Sequence, residues 1–213
     1  MQHGNPQELT VAEDALRSGW SPLIQRAAVL RAPLLKTESG RSLSPFRVVS
    51  IKDFPPAGYL EEPERTIYLR ERIPQARKYA LQPYDVLVTI VGTIGEVTIL
   101  PPECPTNWIP ATNMFVVRMD NDPDGSKART FYGLMKSSFG QDILESLAHG
   151  ARIQIVSKKR FSRTAFPPFT NETIAIFEEL WQQEKDLYAK SRELLRQASR
   201  LYLQAPDIES VVA

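Results

Sequence analysis

A chain of 213 residues, 42% hydrophobic and 24% charged, has the composition of a globular protein and not of a disordered one. Its 26 Lys and Arg against 25 Asp and Glu leave a net charge of +1, so the overall balance makes no case for a polyanionic partner. No apolar run approaches the roughly 18 residues that span a bilayer, and the single Cys104 excludes an internal disulfide framework. The opening MQHGNPQELTVAED is polar and acidic, unlike a secretory signal. Together with the lone cysteine, this makes a reducing compartment, the cytoplasm, the expected location.

Residues 1–40 read as a helical arm. Thr10-Val-Ala-Glu13 has capping-box spacing ahead of Ala15 and Leu16, and Trp20-Ser-Pro22 breaks the pattern. Leu23–Leu30 is then a candidate second short helix, stopped by Pro33. Phe46–Ile51 is a strand, and Pro55, Pro56 and Gly58 turn the chain. The charged stretch Tyr59–Tyr79 is expected to be irregular or edge structure with a surface role.

The centre of the chain is Leu81–Met119. Val86–Val91 is β-branched and apolar and ends at Gly92 and Gly95; Val97–Leu100 is closed by Pro101 and Pro102; Met114–Val117 follows Asn113. Apolar runs this short, bounded by Gly and Pro, favour strands and predict a buried sheet. Asn121–Gly125 is a turn cluster. Ala128–Ala148 has helical spacing at Phe131, Leu134, Met135, Ile143, Leu144 and Leu147, with a break expected at Gly140 and a stop at Gly150. Ile153–Val156 alternates apolar and polar residues, so the basic segment around it is expected to begin on a strand. Phe166-Pro-Pro-Phe169 ends the domain.

From Thr170 the pattern changes. Thr170 or Asn171 can cap a helix with Glu172 in its first turn, and no Gly or Pro interrupts the chain to Leu203, about 50 Å of helix. Leu180, Leu187, Leu194 and Leu201 recur every seven residues, with Phe177, Trp181, Tyr188, Leu195, Ala198 and Tyr202 beside them. This is an apolar seam of the kind that pairs lengthwise with another helix. The alternative is a helix lying along its own domain, although four heptads exceed what a small domain covers. The residues from Ala205 are expected to fray.

Catalytic and metal chemistry find no footing in these residues. His3, His149 and Cys104 cannot assemble a zinc-type ligand set, and nothing couples Cys104 to His149 as a nucleophilic pair. Gly92-Thr-Ile-Gly95 lacks the Lys-Ser/Thr that would follow in a phosphate loop. The carboxylates form no recognisable metal or acid/base motif. No cofactor, no metal and no catalytic residue are therefore expected. What stands out is Ala151–Ala165, with Arg152, Lys158, Lys159, Arg160 and Arg163 and no acid, which can form a basic face on a neutral protein or an ordinary solvated surface.

The order of these elements resembles one target-recognition half of a specificity (S) subunit of a type I restriction–modification system, over residues 43–203. VVSIKDF at 48–54 is similar to the family's opening strand, and LQPYDVLVTIVGTIGEVTIL to its strand, Gly-x-x-Gly, strand segment. Asn113 with MFVVRM is similar to the next strand. FYGLMKSSFGQDILESLAHGARIQIVSKKRFSRTAFPPF resembles the helix, glycine, strand and Pro-Pro exit that precede a long helix. Tyr84 stands where the family often has Gly before Asp85, and Asn171-Glu172 replaces its usual Glu-Gln.

The resemblance implies an α+β fold: a mixed, mainly antiparallel β-sheet recognition domain with packed helices, then one long coiled-coil-type helix. The implied layout is an arm over 1–40, a DNA-binding domain over 41–169, a dimerisation or docking helix over 170–204 and a flexible tail over 205–213. The implied function is non-catalytic: recognition of double-stranded DNA on behalf of a DNA adenine methyltransferase (M) subunit and a restriction (R) subunit. Alternatives are the recognition domain of a single-chain methyltransferase or restriction enzyme, and a protein–protein adaptor that binds no DNA. Arg152, Lys158, Lys159, Arg160 and Arg163 are candidates for phosphate and base contacts, with Gln154 as a reader of bases and Thr93 and Asn113 as further candidates by position. Arg70, Arg72, Arg77 and Lys78 are expected at the solvated surface. Phe177, Leu180, Trp181, Leu187, Tyr188, Leu194, Leu195 and Leu201 are the residues expected to face a second copy or a partner.

Overall fold

β-branched and apolar runs form the strands in the computed structural model, which describes residues 19–203. In chain order the elements are β1 (Ser21–Pro22), β2 (Ala27–Leu30), β3 (Ser44–Val49), β4 (Thr66–Leu69), α1 (Ile73–Lys78), β5 (Val86–Thr89), β6 (Val97–Ile99), β7 (Trp108–Pro110) and β8 (Met114–Met119). The second half holds α2 (Ser126–Lys136), α3 (Ser138–Leu147), β9 (Ala148–His149), β10 (Ile155–Val156), α4 (Lys158–Arg163), β11 (Ala165–Phe166) and α5 (Asn171–Leu203). Strands and helices are mixed along the chain, and all pairings between named strands are antiparallel except β3 with β7. The expected α+β class, with a mainly antiparallel sheet and a long final helix, is observed.

Two sheets and a helical layer enclose the cores. The central sheet has the order β2-β8-β5-β6 and the second β4-β3-β7. Successive side chains of a strand point to opposite faces, and the central strands use both. Val86, Val88, Phe115 and Val117 pack into the large core with Phe131, Met135 and Leu144 of the helices. Leu87, Met114 and Val116 point the other way, into a core shared with Val49 and Trp108 of the second sheet. The outer face of that sheet, through Phe46, Val48, Ile67 and Leu69, closes over Leu35 and Ala76. A strand buried on both faces reads as a continuous apolar run, which is why Val86–Val91 lacks alternation.

Three sequence expectations change here. Leu23–Leu30 is not a helix: residues 23–25 form a single 3-10 turn and Ala27–Leu30 is β2, paired residue for residue with β8 from Ala27↔Met119 to Leu30↔Val116. Ala27–Leu30 therefore belongs to the central sheet and Ser21–Pro22 to a separate two-stranded sheet with β11, because the partner strands outweigh the weak local helical pattern. The expected helix after Thr10 lies outside the described residues, as does the tail from Ala205. Tyr59–Tyr79 is not merely surface structure, since it contains β4 and α1 with Ile67, Leu69 and Ala76 buried. Finally, the break between α2 and α3 falls at Ser137, whose backbone is extended. Gly140 lies inside α3, where a Cβ would collide with the backbone of Leu134 and Met135, so this glycine allows α3 to fold back closely on α2.

The turn before β5 shows what the tyrosine at 84 does. Tyr84 takes a left-handed conformation, φ 63°, the conformation a glycine adopts without strain. It places Asp85 with no solvent exposure, where it accepts from the Gln82 amide at 2.8 Å and from Arg118 Nε and Nη2 at 2.8 and 2.7 Å. This bidentate pair fixes the register of β5 against β8.

Candidate nucleic-acid interface

The candidate residues converge at one end of the central sheet. β5 runs beyond Thr89 into the loop 90–95, which turns at Gly92 and Gly95 with φ of 77° and 98°. The Ile90 amide donates to the Asn113 carbonyl at 2.8 Å, the Val156 amide to the Ile90 carbonyl at 3.0 Å, and the Gly92 amide to the Gln154 carbonyl at 3.3 Å. Thr93, Asn113 and Gln154, far apart in sequence, are thus carried on one hydrogen-bonded ledge. The Glu96 amide donates to Thr89 Oγ1 at 3.0 Å and holds the base of the 90–95 loop.

The basic segment continues this ledge. β9 and β10 form a short hairpin whose tip, residues 150–154, exposes Arg152, Ile153 and Gln154. The strand expected at Ile153–Val156 is present as Ile155–Val156, but the basic residues after it lie on a helix, α4, which the sequence reading did not foresee. Phe161 anchors that helix, fully buried, with its ring 5.4 Å from Phe115 and 6.4 Å from Phe166. The Leu23 amide donates to the Thr164 carbonyl at 3.0 Å and pins the far end. Lys158, Lys159, Arg160 and Arg163 are left exposed. Arg160 donates to the Leu147 and Ser146 carbonyls at 3.3 and 3.4 Å, so its cation caps the carboxyl end of α3, a stabilising position. Lys159, Arg160 and Arg163 border a shallow open depression of about 430 Å³ with Leu147 and Thr164.

Among the described residues none of Arg152, Lys158, Lys159, Arg160 and Arg163 makes an ion pair, whereas Arg70 pairs with Glu71 at 2.9 Å and Arg72 with Glu38 at 3.9 Å. An arginine engaged by a neighbouring carboxylate has less to offer a phosphate, which sets Arg70 and Arg72 apart from the ledge; Arg77 and Lys78, in the last turn of α1, make no ion pair among the described residues either. One residue was missed from sequence. Arg31, exposed at the end of β2, donates to the Thr112 carbonyl at 3.0 Å beside Asn113. Only the β2–β8 pairing brings it there, and no local pattern signals that pairing. Burial pushes the Cys104 thiol up to about 12, away from the thiolate form that nucleophilic chemistry uses.

The long helix divides the residues expected on its seam. Thr170 is its cap, Oγ1 accepting from the Thr173 amide at 3.1 Å, with Glu172 in the first turn. One face docks on α2. Trp181, only 7% exposed, meets Tyr59 and Tyr132 edge-on at centroid distances of 4.9 and 5.2 Å, and Phe177 covers Gly133. Ion pairs Arg129–Glu178 at 2.6 Å, Lys136–Glu184 at 2.5 Å and Arg192–Glu61 at 2.9 Å border that contact. Trp181 is thus buried by its own domain, which corrects its place on the free seam, and Phe177 and Tyr188 lie half-buried on this inner side. The stripe beside it is bare: Leu180, Leu187 and Leu194 are 51–68% exposed, and Leu195, in line with Trp181 and Tyr188 on the helix, is 66% exposed. The Leu201 side chain lies outside the described residues.

A mainly antiparallel sheet pair with a helical layer and a long carboxyl-terminal helix defines the class of fold. Solved structures with this arrangement are parts of type I restriction–modification systems. The S subunit from M. genitalium superposes with a TM-score of 0.53 at 16% identity, over 84% of this chain and 43% of that one. A chain from a structure describing complex assembly and conformational transition of a type I system gives 0.53 at 14% identity, over 92% and 52%. The HsdS subunit from Thermoanaerobacter tengcongensis gives 0.49 at 14%, over 80% and 39%. The chain spans about half the length of the solved structures it matches, and its fold is that of the corresponding part of an S subunit. No protein-family profile matches the sequence, and neither does any curated protein.

Proposed function

We propose that this chain is a non-catalytic, sequence-specific DNA-recognition component of a type I-like restriction–modification system. In this reading the 41–169 region, joined by residues 19–40, contacts double-stranded DNA. It brings a DNA adenine methyltransferase subunit, and through the assembly a restriction subunit, to the target site in the cytoplasm. The observation that carries the reading is the exposed basic segment of the hairpin tip and α4, acid-free in sequence, held beside the 90–95 loop. Lys158, Lys159 and Arg163 supply phosphate contacts that set position and most of the salt-dependent affinity. In this reading Arg152, Gln154, Thr93 and Asn113 reach base edges, the contacts that carry sequence information. Arg160, already bonded to the end of α3, has a smaller share.

Titrating a labelled duplex of about 30 base pairs with the chain at several salt concentrations tests this. Replacing Lys158 and Lys159 with Ala should weaken binding to all duplexes alike and lower the log–log salt slope by about one unit per lost phosphate contact. Unchanged affinity and slope in that double variant would overturn the placement.

The exposed leucine face of α5 supports a second element of the reading, an assembly surface for a second copy or the methyltransferase subunit. A two-fold pair would present two recognition domains to a bipartite palindromic site. The same apolar face suits a protein–protein adaptor equally well, and absence of DNA affinity at low salt would decide for that.

A further inference from the structure

Ile153 and Ile155 are 58% and 36% exposed, on either side of exposed Gln154 and next to exposed Arg152. The surrounding chain is basic over a longer span than the segment itself, since no Asp or Glu occurs between Glu145 and Glu172. More than half of the Ile153 surface stays in solvent. The tip is nonetheless firmly built. Gly150 turns it with φ 116°, and a Cβ at that position would collide with the Ile153 carbonyl. On the other side, the Gly92–Gln154 and Val156–Ile90 hydrogen bonds and a bridge between Val91 and Ile155 tie it to the sheet. An apolar group held out from such a base loses little conformational freedom on binding.

An apolar residue inside a surface complementary to a polyanion has a specific use. Proteins that kink DNA push Ile, Leu, Phe or Met between two base pairs from the minor groove, while Arg, Asn or Gln hold the groove edges. We propose that Ile153 is such a wedge, backed by Ile155 and flanked by Arg152 and Gln154. This rests on the DNA-binding reading above. Unstacking costs least at flexible pyrimidine–purine steps, so the wedge adds sequence preference at a step that makes no base-edge hydrogen bond.

The test uses a duplex selected from a random-sequence pool by the unaltered chain. It carries dyes at its ends and, at each pyrimidine of either strand in turn, a fluorescent cytosine or thymine analogue that is quenched by stacking and modified only on its major-groove edge. Binding should raise fluorescence at one step and shorten the end-to-end distance. Ile153→Ala should abolish both signals and weaken binding to the selected duplex roughly tenfold. Its affinity for unrelated duplexes and its salt slope should stay unchanged, and Ile153→Met should restore the kink. The position is exposed, so both variants should fold. Binding by the unaltered chain without unstacking, or an Ile153→Ala variant that kinks as before, overturns the wedge alone. If Ile153→Ala loses a protein partner while the DNA signals persist, the tip is a protein contact and the wedge is wrong. Absence of any DNA binding by the unaltered chain overturns the wedge together with the reading beneath it.

Discussion

Asp85 and Arg118 show how one pair can hold two strands in place. The carboxylate is fully buried while the Arg118 side chain keeps 27% of its surface in solvent, so the two partners are not equivalent. Removing Asp85 leaves a guanidinium that water can still reach. Removing Arg118 strands a charge in the core, which costs about 3–5 kcal/mol. Chemical denaturation should therefore find Arg118→Ala more destabilised than Asp85→Asn; the reverse order would contradict the asymmetry. The pH dependence of the arginine variant has a definite sign. Burial pushes the Asp85 carboxyl above its ordinary value of 3.8 and Arg118 pulls it back, so without the arginine the folded state holds its proton more tightly than the unfolded chain does. Well below 3.8 the group is protonated in both states and its penalty vanishes. The penalty grows as pH rises through the interval up to the folded value. The deficit of Arg118→Ala should be smaller near pH 4 than near pH 7, and a deficit independent of pH would mean that Asp85 stays charged. Little at this scale was legible beforehand. Asp85 reads as one polar residue before an apolar run, and the left-handed turn at Tyr84 was hinted at only through the resemblance, in which Gly often stands at that position.

At the scale of elements, α5 is the instructive case. The seven-residue spacing of Leu180, Leu187 and Leu194 was plain in the sequence, and so was a cap at Thr170 or Asn171, of which Thr170 is the one used. Periodicity specifies an apolar stripe without saying what lies against it. The offset of four from Phe177 to Trp181 belongs to an inner face on α2, and the heptad leucines to an outer face. The two are merged in a one-dimensional pattern and separated only by the position of Tyr59 and Tyr132. Trp181→Ala should cost about 3–5 kcal/mol and loosen the helix from α2, seen as faster amide exchange over residues 172–190. Substituting the exposed Leu187 and Leu194 with Asp should leave the melting temperature of the isolated domain nearly unchanged. It should lower the mass found by light scattering at high concentration if that face holds a second copy. Equal mass for both forms would remove the outer face from the assembly. The α4 helix was not legible, since six residues of mostly charged sequence show no period; what creates it is Phe161 seated between Phe115 and Phe166.

At the scale of the molecule, the strands of the Leu81–Met119 stretch were readable because Gly and Pro bound them, whereas the order of the sheets was not. β2 comes from a segment with weak local preference and reaches the edge of the central sheet through a partner about 90 residues later in sequence, Ala27 opposite Met119. The same non-local pairing carries Arg31 to Asn113, and the Ile90 hydrogen bonds carry Asn113 to Gln154. The candidate residues were thus named one by one from charge and position, while their union into a ledge is a property of topology. That union makes a global prediction: if the proposed reading holds, a surface with fixed polar groups and unpaired cations should discriminate sequence, not only bind charge. The direct measurement is selection from a random-sequence duplex pool at physiological salt, followed by the affinity ratio between the enriched duplex and an unrelated one. The account predicts a defined motif, bound about a thousandfold or more above background, and a two-part palindromic motif if α5 pairs two copies. A pool that emerges without enrichment, or bound no better than unrelated DNA, would contradict it.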